Sequence, residues 1–316
     1  MKGPAPSKHQ PPGRGGQPRV DGSPPGPGGF PPARGSPPPG GGGSQEFGGR
    51  LPAAPADTAE VLRTFNWKDC RNPGLVFERF APDLSSARAQ EAREKKAGLE
   101  MVRRCGQERE LLQALLARRA ALAKEHLVKS FTATTRSRLV VGLGRKGTYE
   151  VGLSFHRIYG VPYIPGSALK GIARSYASLV LGKAEKDPEL QEVFGVAIEL
   201  QGDREPRRVD RAGEVVFWDA FPEKPVELDL DVMNPHYPEY YGDTSGRTPP
   251  SNWQDPVPVY FLTVATGTPF RVTLSTRRTD AQGQQRLGLA SQWLREGLSR
   301  LGAGAKTSSG YGYFLV

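Results

Sequence analysis

Between Ser137 and Val316 the apolar residues switch repeatedly between a spacing of two and a spacing near 3.6, and the order of those switches restricts the fold more than any other feature. Ser137–Leu143 and Thr148–Ile158 read as strands, and Ser167 to about Gly182 reads as a helix. Glu214–Phe221 and Val226–Val232 read as strands, as do Val257–Ala265 and Phe270–Thr276 on either side of the turn-forming Thr266-Gly267-Thr268-Pro269. Leu287–Leu301 reads as a second helix, with Leu287, Ala290, Trp293, Leu294, Leu298 and Leu301 on one face, and Gly310–Val316 as a last strand. The order is β-α-β-β-α-β, with insertions near 183–212 and 233–256. It implies an α+β, ferredoxin-like (RRM-like) arrangement, in which two helices cover one face of an antiparallel sheet. No repeat of fixed 20–50-residue period interrupts it.

The text upstream is different. Residues 1–50 hold 15 Gly and 13 Pro and almost no large apolar side chain. Such a segment cannot offset the entropy of ordering, so a disordered tail is expected. Residues 51–82 are mixed, with one short helix predicted in LPAAPADTAEVLRTFN. Residues 83–129 are rich in Ala, Leu, Glu, Lys and Arg, the strong helix formers. Asp83 or Ser85 is the expected cap, and Gly98 and Gly106 are the expected breaks. The chain therefore divides into a tail (1–50), a helical region (51–129) and the α+β domain (130–316).

Charge and cysteine usage narrow the function classes. With 43 Lys+Arg against 33 Asp+Glu, the formal net charge is +10, which suits a polyanionic partner without choosing among nucleic acid, anionic lipid and acidic protein. No apolar run approaches the roughly 18 residues of a membrane-spanning helix. The start of the chain lacks the apolar core of a signal peptide. Only Cys70 and Cys105 occur. Two cysteines exclude a disulfide scaffold and a cysteine-only zinc site, and they fit a reducing cytoplasm.

Four segments invite a chemical reading. Gly142-Leu-Gly-Arg-Lys-Gly147 fits G-x-G-x-x-G, but the dinucleotide fingerprint needs a helix next, and the alternating text that follows points to a glycine-bearing hairpin or loop. Gly302-Ala-Gly-Ala-Lys-Thr307 resembles a phosphate loop, yet Ala305 stands where Gly must precede Lys, and too few residues remain for the helix. A turn of small residues with exposed N–H groups and one ammonium could still nest an anion such as an RNA phosphate. The plain alternative is a glycine cap leading into an edge strand. In Tyr159–Gly171, Pro162 and Pro165 set an extended approach and Ser167 is the expected N-cap. Leu169, Ile172, Ala173, Tyr176 and Val180 form the buried stripe. Lys170 and Arg174, four apart, can face one anionic strand or simply be solvated, and Gly171 suggests a close approach by another backbone. Asp229–Tyr241 combines Asp229, Asp231 and His236 with three tyrosines. That set could serve acid–base or metal chemistry, base stacking, or local packing. Neither it nor His9, His126 and His156 forms a triad that spacing supports.

PYIPGSALKGIARSYA, followed much later by GAGAKTSSGYGYF, resembles the RAMP superfamily of CRISPR-associated proteins. SRLVVGLG, YGVPYIPGSALKG, VVFWDAFP, DLDVMNPHYPEYY and GAGAKTSSGYG run in that order from Ser137 to Gly312 and are most similar to the sixth-subunit family of type III-B Cmr complexes. The resemblance implies a ferredoxin-like RAMP fold and a non-catalytic, cytoplasmic RNA-binding subunit without metal or cofactor. Such a subunit caps the backbone of a ribonucleoprotein beside other RAMP subunits. It holds the 3′ region of the CRISPR RNA and the duplex with complementary target RNA. By position it assigns Ser167, Lys170 and Arg174 to the guide backbone. It assigns Gly302, Gly304, Lys306, Thr307 and Ser308 to the glycine-rich loop, and His236 and Tyr237 to RNA or a neighbouring subunit. The rival readings are a RAMP-type endoribonuclease processing CRISPR RNA with His156 or His236 as base, and a protein-only scaffold.

Overall fold

The computed structural model describes residues 55–65, 69–80, 88–145, 147, 149–200, 207–234, 237–250 and 258–316; the tail 1–50 lies outside them, as do Asp83 and Ser85. Four helices come first: α1 Ala56–Thr64, α2 Pro73–Arg79, α3 Arg88–Arg104 and α4 Arg109–Lys124. Then follow β1 Val128–Thr135, α5 Gly166–Ser175, which continues into a π-helical turn over Tyr176–Val180, α6 Pro188–Phe194, β2 Gly195–Leu200 and β3 Arg207–Ala212. The rest is β4 Val215–Phe217, β5 Phe221–Pro222, β6 Leu228–Met233, α7 Pro238–Gly242, β7 Val259–Val264, β8 Pro269–Thr276, α8 Ala281–Arg300 and β9 Phe314–Leu315.

The main sheet runs β4-β8-β1-β9, with β5 also paired to β8, and every pairing is antiparallel. Traced as β1-α5-β4/β5-β8-α8-β9, the strands lie in the spatial order second, third, first, fourth, as the ferredoxin-like fold requires. Because side chains alternate along a strand, Phe131 and Ala133 of β1 meet Phe270, Val272 and Leu274 of β8 in one core with Leu169 and Ala173 of α5 and Leu287, Ala290, Trp293, Leu294 and Leu298 of α8; all are buried. Each such large side chain contributes about 1.5–3 kcal/mol.

Several boundaries differ from the sequence reading, each for a physical reason. The first strand is β1 at Val128–Thr135, upstream of Ser137–Leu143. Its hydroxyls hide it, because they are satisfied inside the sheet: Ser130 bonds Thr273 at 3.0 Å and Thr135 donates to the Ala265 carbonyl at 2.9 Å. In Ser137–Leu143, three successive residues, Leu139, Val140 and Val141, are buried, which no strand with one wet face allows, and only Leu139 bridges to Val264. Of Thr148–Ile158, the described residues 149–158 form a loop with one bridge, Phe155 to Pro162. Glu214–Phe221 is split into β4 and β5, because Ala220 turns away from β8 to pair with Ile164. β6 and β7 leave the main sheet and pair with each other. The last strand is only Phe314–Leu315. Gly98 lies within α3, while Gly106 does fall in the break before α4.

The start of α5 also differs. Ser167 is inside the helix and caps nothing; the N-cap is Pro165. The Gly166 amide is instead satisfied by Asp219 Oδ1 at 2.7 Å. The close backbone approach is made at Gly166, where a Cβ would strike the Phe217 carbonyl, and nothing crowds Gly171. Of the expected stripe, Leu169, Ala173 and Tyr176 are buried, but Val180 is exposed. Among the described residues no helix is long and apolar enough to cross a membrane.

Candidate nucleic-acid interface

α8 stops where its apolar face ends, and Gly302, with φ 78°, turns the chain with its amide bonded to the Gly297 carbonyl at 3.0 Å. A left-handed glycine after a helix is the usual way to satisfy such carbonyls. The chain then lies against two backbones: the Ala303 amide bonds the Gly312 carbonyl and the Ala305 amide bonds the Val140 carbonyl, each at 2.8 Å. Thus the alternating small residues of GAGA are needed for close packing, with Gly302 and Ala303 buried and Gly304 exposed. The sequence match to a phosphate loop ends there. Thr307–Ser309 forms one 3-10 turn and no α-helix follows.

Lys306 is the only non-glycine residue at positive φ (60°) among the described residues. Its ammonium lies 5.7 Å from the Phe261 ring centroid and 3.9 Å from Met233 Sδ. Among the described residues, no protein acceptor meets the amides of Lys306, Thr307 and Ser308. The loop therefore offers N–H groups without a protein acceptor among the described residues and a cation held half-buried against apolar side chains, a combination that suits an anion.

A polar brace that the sequence reading missed supports this loop from behind. The Gly312 amide bonds the Arg138 carbonyl at 2.8 Å. The Arg138 guanidinium pairs with Asp231 at 2.5 Å and approaches Asp229 at 3.7 Å. The Tyr311 hydroxyl donates to Asp231 at 2.6 Å. Asp229 and Asp231, read as possible acid–base or metal residues, are thus engaged with Arg138, and no group of three metal-ligating side chains occurs among the described residues. Burial pushes the Asp231 carboxyl up, but hydrogen bonds from Tyr311, the Val232 amide and Arg138 outweigh it and hold it below its ordinary value. Burial and Asp231 raise Tyr311 to about 12. A folded-state pKa below the unfolded one adds stability above the unfolded value and withdraws it as pH falls through the lowered one. Thermal melts below pH 4 should therefore lose part of their stability through this group. Asp231→Asn should lower the melting temperature at neutral pH and flatten that acid dependence; equal pH profiles would show that the brace carries no stability.

The other expected residues lie elsewhere. Ser167 is exposed on the first turn of α5. Lys170 is half-buried, and its ammonium is destabilised first by burial and then by Arg174 and Arg277. Arg174 pairs with Glu185 at 3.0 Å across an exposed surface, an interaction worth little. Lys170 and Lys306 share none of these neighbours. Tyr237 lies 6.5 Å from Tyr241, whose ring is exposed beside exposed Tyr240; His236 is outside the described residues. His156 packs among Tyr159, Tyr163 and Phe221. Its Nδ1 accepts from the Ile158 amide at 3.3 Å, and burial lowers its pKa despite Asp219.

The family model of the RAMP superfamily matches residues 132–315. The CRISPR system Cmr subunit Cmr6 of Pyrococcus furiosus is 36% identical over 231 residues, which cover 56% of this chain and 65% of that protein. The corresponding Cmr6 of Saccharolobus solfataricus is 30% identical over 195 residues, or 60% of this chain and 58% of that one. The chain thus spans less than two thirds of either curated relative. Among solved structures, a chain of the type III-B Cmr-beta complex bound to cognate target RNA superposes with a TM-score of 0.53 at 27% identity, over 72% of each chain.

Proposed function

Because the chain belongs to the RAMP superfamily, we propose that it is a non-catalytic, RNA-binding backbone subunit that caps a type III-B Cmr effector in the cytoplasm. It holds the 3′ region of the CRISPR RNA and the duplex formed with complementary target RNA, beside other RAMP subunits. The observation that carries this reading is the loop from Gly302 to Ser308, with Lys306 and amides that meet no protein acceptor among the described residues, braced through Gly312 on Arg138 and Asp231. Gly302 and Gly304 shape the turn, and Lys306, Thr307 and Ser308 face the phosphates. On α5, Ser167, Lys170 and Arg174 follow the guide backbone. His236 and Tyr237 meet RNA or the adjacent subunit. Such contacts fix register, and sequence is read by base pairing. The similarity to Cmr6 proteins and to a chain of a target-RNA-bound Cmr complex supports the assignment.

Copurification tests it. Tagged full-length chain, expressed with its neighbouring genes, should bring down small CRISPR RNAs and other RAMP subunits. Recovery of neither would defeat the proposal. Cleavage of repeat-containing RNA by the purified chain, abolished by His156→Ala, would replace it with the endoribonuclease reading.

A further inference from the structure

We propose that Cys70 and Cys105 form a reversible disulfide that staples the segment ahead of α2 to the C-terminal end of α3, with a small-molecule disulfide as oxidant. These are the only cysteines of the chain, and the fold brings them together from 35 residues apart. Both thiols are free and buried, in one apolar cluster with Val76, Phe77, Leu99 and Val102. Their chain neighbours touch, since a Cβ on Gly106 would run into the Arg71 guanidinium. The Cys70 thiol donates to the Asn72 carbonyl at 3.8 Å, and each thiol is the largest influence on the other's ionisation. Each sits just outside a helix, Cys70 before α2 and Cys105 after α3, where the backbone can take up the small shift that disulfide geometry demands.

The pair is also chemically asymmetric. The neighbouring Cys105 thiol, with the Asn72 backbone and Arg71, outweighs burial and holds Cys70 at about 6, while Cys70 and burial push Cys105 up. Cys70 is therefore the attacking thiolate. It displaces one thiolate from the small disulfide and becomes a mixed disulfide. Cys105 then attacks the Cys70 sulfur and expels the second thiolate, which takes the Cys105 proton. One external disulfide is reduced to two thiols, and two protein thiols are oxidised to one disulfide. At 9% and 8% exposure, the sulfurs need only a local opening to be reached. The product closes a long loop and fixes α2, whose Phe77 stacks on Tyr149 at 5.0 Å and lies 5.5 Å from Phe155.

Full-length protein treated with oxidised glutathione, then denatured and alkylated, tests the proposal. The wild type should lose both free thiols and two hydrogen atoms of mass. It should yield a peptide crosslinked between Cys70 and Cys105, and recover with dithiothreitol. Its melting temperature should rise by about 5 °C on oxidation. Cys105→Ser should stop at a glutathione adduct on Cys70, with no such rise. Two unreacted thiols, lasting glutathione adducts on the wild type, or a crosslink between two copies would overturn it.

Discussion

Replacing Lys170 and Lys306 together with alanine should flatten the salt dependence of RNA binding by roughly one to two units of log–log slope. A cation that neutralises a single-strand phosphate releases bound counterions, and each such contact adds about 0.7 to the slope. Lys306 is held against Phe261 beside unengaged amides, and Lys170 is crowded by Arg174 and Arg277, so an arriving phosphate would relieve like-charge repulsion there. Arg174 already faces Glu185, and Arg174→Ala should change the slope less than either lysine variant. The measurement is affinity for guide-length RNA across a salt series, with the assembled complex as a parallel arm. An unchanged slope would remove both lysines from the RNA contacts.

Gly312→Ala should be the most damaging single methyl in the chain's C-terminal loop. Gly312 has φ 75°, and an added Cβ would run into the Ala303 carbonyl. Left-handed backbone costs an alanine about 1–2 kcal/mol. The collision adds to this by breaking the bond from the Ala303 amide to the Gly312 carbonyl. Gly310→Ala isolates the first contribution, since Gly310 has φ 91° and nothing within 4 Å of its Cβ position. Thermal melting should therefore drop by a few degrees for Gly310→Ala and by clearly more for Gly312→Ala. Only the latter should also weaken RNA binding. Equal losses would mean that the two strands of the loop do not brace each other.

Local pattern carried much of this architecture. The apolar face of α8 and the run of β8 are spelled in consecutive residues, so Leu287, Ala290, Trp293, Leu294 and Leu298 were legible before any packing was known. The glycine-rich loop was legible because Gly302 and Gly304 sit where a left-handed turn needs them. β1 was not, because VKSFTATT shows polar hydroxyls that become satisfied only when Thr273 and Ala265 arrive from more than a hundred residues away. The cap of α5 misled for a similar reason. Ser167 is a good capping residue, but Asp219, distant in sequence, reaches the Gly166 amide.

Periodicity along the chain, with helix and turn chemistry, was enough for the two helices over one sheet and the loop before the last strand, though not for where the first strand begins. Those choices depend on the backbone and on neighbours within a turn or two. The union of Arg138, Asp231 and Tyr311 behind that loop, the meeting of Cys70 with Cys105 and the separate β6–β7 sheet emerged only on folding. They join side chains or strands far apart in the chain, and hydrophobic burial and hydrogen-bond satisfaction select such partners only in three dimensions.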